Sequence, residues 1–127
     1  MLPDPATTKL IGTCPEFSKA DTQEAIQAAD TAFKSFQTLT ARQRSRLLGK
    51  WYALIIQHQE DLSTLITLEN GKPLAEARGE VAYAASFLEW FGEEAPRTYG
   101  DLIPASNNGN QVLTLKEPVG VCALVTP

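Results

Sequence analysis

The chain has 127 residues, 43% of them hydrophobic and 20% charged, which is the composition of one folded unit rather than a disordered tail. Eleven Lys and Arg against fifteen Asp and Glu leave a net charge of −4. That balance excludes the basic surface that nucleic acids and anionic membranes select. The longest apolar run, over 119–125, falls far short of the roughly 20 residues that cross a bilayer.

The opening Met1-Leu2-Pro3-Asp4-Pro5 has no basic stretch followed by an apolar one, so no secretory signal is expected. Acids at Asp4 and Glu16 argue against an Arg-rich mitochondrial presequence. Cys14 and Cys122 could form at most one bridge, and their spacing fits neither a disulfide framework nor a metal knuckle. A reducing, cytoplasmic compartment is the expectation.

The first 17 residues are punctuated by Pro and Thr, with Lys9-Leu10-Ile11-Gly12-Thr13-Cys14 reading as an edge strand or extended arm. A first helix should begin between 18 and 22, where Ser18 and Asp21 stand in capping-box relation. Behind it, Ile26, Ala29, Phe33 and Phe36 form one apolar stripe. Thr40-Ala41-Arg42-Gln43 is a second capping box, followed by the apolar face Leu47, Leu48, Trp51, Leu54 and Ile55. The pattern resumes at Leu62, Leu65, Ile66 and Leu68 after a polar break over 57–61, and Asn70-Gly71 is a helix stop.

A fourth helix should run from about 73 to the mid-90s, opened by Pro73 and ended or kinked by Pro96. Leu74, Ala77, Val81, Ala84, Ala85, Leu88 and Phe91 fall on one side of it. After Gly100 the period changes to that of strands. Extended pieces at 101–104 and 111–117, the second half-buried in pattern, flank a turn at Ser106-Asn107-Asn108-Gly109-Asn110. Val119-Gly120-Val121-Cys122-Ala123-Leu124-Val125 shows no alternation and is rich in Val, as a strand covered on both faces would be.

The chemistry-bearing residues are sparse. No two of the eight glycines are in G-x-G spacing, so neither a dinucleotide fingerprint nor a phosphate loop of the common types is present. His58 lies in a polar stretch and reads as a solvated side chain. Cys122, inside the most apolar run, reads as a buried small hydrophobe rather than a nucleophile. Cys14 has no neighbour that would activate it. Glu76, Glu80, Glu89, Glu93 and Glu94 read as a solvated helix face, and Tyr83, Phe87, Trp90 and Phe91 as core. The residues alone show no self-contained active site and no metal site.

Five segments carry a resemblance: Asp4-Pro5-Ala6-Thr7; Ala25-Ile26-Gln27-Ala28-Ala29; Leu68-Glu69-Asn70-Gly71-Lys72-Pro73-Leu74-Ala75-Glu76-Ala77; the block 79–91; and Glu117-Pro118-Val119-Gly120-Val121 running into Val125-Thr126-Pro127. In order and spacing the chain resembles the N-terminal part of the aldehyde dehydrogenase superfamily, most closely its succinate-semialdehyde branch. The resemblance implies an α/β fold in which 18–99 is a helical segment and 100–118 supplies strands of an oligomerisation arm. It makes 119–127 the first strand of a doubly wound cofactor domain, left incomplete.

The implied activity is NAD- or NADP-dependent oxidation of succinate semialdehyde to succinate, in a homo-oligomer when full length. In such enzymes a cysteine attacks the aldehyde, hydride passes to the nicotinamide, and a glutamate activates water; an asparagine helps hold the oxyanion. None of these groups has a counterpart here, and neither Cys14 nor Cys122 matches the nucleophile's motif. The 127 residues alone are therefore expected not to catalyse. Val125, Thr126 and Pro127 resemble the strand end beside the cofactor. Gly79, Tyr83 and Phe87 resemble the lining of the substrate tunnel, with core packing as the competing reading, favoured for Phe87.

Two departures stand out: the family's usual hairpin upstream of Asp4 is missing, and Pro96 interrupts a helix end that is more often proline-free. The competing function is a non-enzymatic interaction module, in which the pieces over 101–117 add to the sheet edge of a full-length dehydrogenase subunit. A truncated product with no role of its own is the third reading.

Overall fold

The computed structural model describes residues 1–126. Strand β1, Leu2–Pro3, pairs antiparallel with β2, Leu10–Gly12. The turn between them is organised by Asp4, whose carboxylate accepts from the Ala6 N–H at 2.8 Å and the Thr7 hydroxyl at 2.7 Å. Thr8 sits at φ 60°, a left-handed conformation that a β-branched residue adopts only under constraint. The extended stretch read over 9–14 is thus real, and it closes a short hairpin whose first strand the sequence did not announce.

Helix α1, Lys19–Phe36, starts with a reciprocal cap: Ser18 Oγ accepts from the Asp21 N–H, and the Asp21 carboxylate accepts from the Ser18 N–H at 2.7 Å. Helix α2, Ala41–Gln57, repeats the device with Thr40 and Gln43. His58 alone separates α2 from α3, Gln59–Asn70. Gly71 ends α3 at φ 77°, where a side chain would be strained and an added Cβ would lie 3.3 Å from Pro5 Cγ. The N-terminal hairpin therefore rests against the corner between α3 and α4. Helix α4, Leu74–Glu94, follows Pro73 and gives way to a 3-10 turn over Ala95–Arg97, at the proline expected to end it.

The packed centre is small. α4 lies along both α2 and α3, and Ala77, Val81, Ala85 and Gly92 of α4 are buried with Ser63 of α3. Small residues line this contact, and a Cβ on Gly92 would still make only ordinary contacts, 3.5 Å from Leu48 Cβ and 3.6 Å from the Ser45 carbonyl oxygen. The Ser63 hydroxyl donates to the Gln59 carbonyl at 2.6 Å, so its burial leaves no hydrogen bond unmade.

Helix α1 buries no residue, and its stripe residues Ile26 and Phe36 are exposed. On α2, Leu48 and Ile55 are half-buried, but Leu47, Trp51 and Leu54 face solvent. The helical periodicity is correct; the apolar faces it marks are only partly covered.

Strands β3, Leu102–Pro104, and β4, Gln111–Leu113, form an antiparallel hairpin. Gly100 is forced against it, for a Cβ there would fall 1.9 Å from the Thr114 carbonyl oxygen. Two sequence expectations are corrected. The second strand stops at Leu113, and both strands are exposed rather than half-buried, because a lone two-stranded ribbon has no layer to bury a face against.

The residues 119–126 form neither strand nor helix, with Val119 93%, Leu124 93% and Val125 96% exposed. Among the described residues this run pairs with no strand, and only its start, at Pro118 and Gly120, borders a groove with Phe33 and Phe36 of α1 and Arg44 of α2. Cys122, read as buried, is consequently an exposed free thiol, as is Cys14.

Candidate functional site

The residues assigned to a substrate wall lie on α4, so the wall is only as fixed as that helix. Three contacts hold it. Arg78 donates to the Glu60 carboxylate of α3 from Nε at 2.8 Å and from Nη2 at 2.7 Å, and Gln59 Nε2 donates to the Arg78 carbonyl at 3.2 Å. Lys72, in the corner before α4, pairs with Glu80. The hydrogen bonds from Arg78 hold the Glu60 carboxyl below its ordinary range, and Glu60 in turn raises the Arg78 guanidinium.

The side of α4 turned away from the packed centre carries an aromatic row. The Tyr83 and Phe87 rings meet edge to face with centroids 4.9 Å apart and planes at 79°, a geometry that aromatic quadrupoles favour. Together with Trp90 and Phe91 they border an open groove of about 500 Å³, which Glu89 and Glu93 also line. Tyr83 is 66%, Phe87 45% and Trp90 62% exposed. The reading of this aromatic set as core is therefore corrected. The centre of α4 is filled by alanines and Val81, and the large rings point outward because nothing among the described residues covers them. Tyr83, Phe87 and Trp90 each follow Val81, Ala85 and Leu88 by two positions, about 200° round the helix, and that offset was the signal that could have separated them from the core face.

Gly79 lies one turn before Tyr83 on the same helix, and a Cβ placed there would meet nothing within 4 Å. The groove at Tyr83 and Phe87 includes neither Gly79 nor Val125 nor Thr126. The structure thus brings two of the assigned residues into contact, leaves open space at the third, and keeps the strand-end pair apart from that groove. Val125 and Thr126 are exposed, and Pro127 lies outside the described residues.

What this arrangement can do is limited. The groove offers aromatic walls and two carboxylates, but no thiol lines it. Cys122 is exposed, with Sγ 3.7 Å from the Gly120 carbonyl oxygen. His58 sits 3.5 Å from Asp61 with its side chain 54% exposed, as a solvated residue would. A nicotinamide dinucleotide needs backbone N–H groups at a helix N-terminus for its pyrophosphate. In the stretch assigned to it here, Val125 and Thr126 are exposed and belong to no strand or helix.

The family model for the aldehyde dehydrogenase family matches residues 2–127. The chain belongs to this family. A glutarate-semialdehyde dehydrogenase of Pseudomonas aeruginosa is 52% identical over 124 residues, covering 98% of this chain and 26% of that protein. The NADP(+) succinate-semialdehyde dehydrogenase of Escherichia coli is 46% identical with the same coverage. In three dimensions, succinate-semialdehyde dehydrogenase from Burkholderia pseudomallei superposes with a TM-score of 0.91 at 45% identity, over 95% of this chain and 25% of that one. The chain spans about a quarter of the length of these dehydrogenases, and its four helices and strand pairs match the N-terminal part of their fold.

Proposed function

We propose that this chain supplies the N-terminal quarter of an NAD- or NADP-dependent dehydrogenase that oxidises a short ω-oxo carboxylate, succinate semialdehyde or its five-carbon homologue glutarate semialdehyde, to the dicarboxylate. The observation that carries this reading is the match over 98% of the chain to enzymes named for those two substrates, at 46–52% identity. Gly79, Tyr83 and Phe87 then form one wall of the aldehyde passage, and the end of the 119–127 stretch lies beside the cofactor. The β3–β4 hairpin, exposed on both faces, serves as part of a subunit contact in the homo-oligomer. No helix among the described residues is long and apolar enough to cross a membrane.

On this reading the chain alone does not turn over, because the family's nucleophile, base and oxyanion asparagine have no counterpart in it and, among the described residues, no thiol lines the aromatic groove. The test compares the purified chain with a chimera in which it replaces the corresponding quarter of the Pseudomonas aeruginosa enzyme. NAD(P)H absorbance from either semialdehyde should stay at the buffer blank for the chain and rise for the chimera. Turnover by the chain alone overturns the inactivity, and a folded chimera that oxidises neither semialdehyde overturns the substrate class.

The exposed ribbon also favours a second reading, a non-catalytic module that adds its β3–β4 edge to a complete dehydrogenase subunit. Co-purification with an intact subunit, lost when Val112 is changed to Pro, would distinguish it.

A further inference from the structure

The buried stripe of α4 consists of Ala77, Val81, Ala85 and Gly92. Side chains this short form low ridges, so the stripe sets how close α4 lies to its neighbours but only weakly how it is turned about its own axis. What resists turning is polar. Arg78 and Glu80 are two positions apart, about 200° round the helix, and stand on opposite flanks of the stripe. On one flank the Glu60 carboxylate accepts from Arg78 Nε at 2.8 Å and Nη2 at 2.7 Å, while Gln59 Nε2 donates to the Arg78 carbonyl at 3.2 Å. On the other, Glu80 pairs with Lys72 in the corner before the helix. The first two residues of α3 thus grip both the side chain and the backbone of the residue that immediately precedes Gly79.

We propose that Glu60 and Gln59 are positioning residues for the aldehyde wall: through Arg78 they set the turn of α4 about its axis, and so the place of the Tyr83 and Phe87 rings. This rests on the assignment of those rings to the aldehyde passage made above. A turn of about 10° moves a side-chain tip 5–6 Å from the helix axis by about 1 Å. Misplacement by that much impairs an enzyme even when the altered residue is far from the substrate. The edge-to-face contact between Tyr83 and Phe87 makes the two rings shift together. Glu60 and Arg78 keep 66% and 46% of their side-chain surface exposed, and exposed pairs add little to stability. Loss of the fork should therefore show in the wall's geometry before it shows in folding.

The test uses the chimera of this chain with the remaining three-quarters of the Pseudomonas aeruginosa enzyme. Glu60→Gln should raise the KM for the semialdehyde about 10-fold and Gln59→Ala about 3-fold, with kcat and the nucleotide KM each changed less than about 2-fold. Exchanging the charges, Glu60→Arg with Arg78→Glu, should bring the aldehyde KM most of the way back. A merely structural role would lower the amount of active enzyme, and with it kcat per mole of chain, and leave both KM values in place. Gln59→Ala removes a single hydrogen bond at the surface, so it carries the test if Glu60→Gln does not fold.

An aldehyde KM unchanged in both variants, while Tyr83→Ala raises it, overturns the positioning role and keeps the wall. A KM that rises with Glu60→Gln but not with Tyr83→Ala also overturns it, because the effect then does not pass through the ring. No response to any of the three removes the wall reading and the positioning role together.

Discussion

Arg78 on α4 and Glu60 on α3 are joined by a two-pronged ion pair, with Nε 2.8 Å from Oε1 and Nη2 2.7 Å from Oε2, and the fork ties the register of one helix to the other. The hydrogen bonds from Arg78 lower the Glu60 pKa from its ordinary 4.5. A carboxyl lowered in the folded state favours folding fully above its unfolded pKa, and that contribution fades as pH falls through the folded one. Stability should therefore be flat from pH 7 down to about 5 and drop below pH 4.5, more steeply for the wild type than for Glu60→Gln. Circular dichroism melts across pH 7 to 3 check this. High salt should shrink the difference, since the pair is partly exposed.

The second prediction concerns Thr40. Its side chain accepts from the Gln43 N–H at 3.3 Å, and Gln43 Oε1 accepts from the Thr40 N–H at 2.8 Å. Thr40→Ala removes the cap of the helix against which α4 packs, and should cost about 1 kcal/mol in urea unfolding. Thr40→Ser keeps the oxygen and should recover most of that loss. Equal loss in both variants would mean that the methyl group, not the cap, matters.

These two contacts differ in how far the sequence revealed them. Capping boxes are local, so Ser18–Asp21 and Thr40–Gln43 could be read at once from residues three apart. The Gly71 stop and the Pro96 break were legible for the same reason. The Arg78–Glu60 fork joins residues 18 apart, and no local pattern marks it. Burial was the least legible. Periodicity says which face of a helix is apolar, not whether anything lies over it. Tyr83, Phe87 and Cys122 carry a pattern suited to a larger fold and stand exposed in this one. For the candidate site, helical spacing placed Gly79, Tyr83 and Phe87 together, while their role came only from the family resemblance.

Two glycines should respond oppositely to one added methyl group. At Gly92 a Cβ would make ordinary contacts, 3.5 Å to Leu48 Cβ and 3.6 Å to the Ser45 carbonyl oxygen, and alanine is the better helix former. Gly92→Ala should leave stability unchanged or raise it by up to about 1 kcal/mol. At Gly100 the same methyl would lie 1.9 Å from the Thr114 carbonyl oxygen. Gly100→Ala should force the ribbon open, breaking the 2.9 Å bond from the Thr114 N–H to the Asp101 carbonyl. Amide exchange reads this as faster exchange at Thr114 with the helices unaffected.

Tyr83 separates a wall residue from a packing residue. Its ring is 66% exposed and touches Phe87 edge to face, so Tyr83→Ala forfeits an aromatic pair and little buried area. The isolated chain should lose no more than about 1 kcal/mol of stability. In the chimera with the Pseudomonas aeruginosa enzyme, the proposed assignment has the same change remove one side of the aldehyde passage. The KM for the semialdehyde should rise about 10-fold or more, while the KM for the nucleotide stays where it was. Tyr83→Phe keeps the ring and should restore most of the aldehyde KM. A large stability loss in the isolated chain with unchanged aldehyde kinetics in the chimera would assign Tyr83 to packing and remove it from the wall.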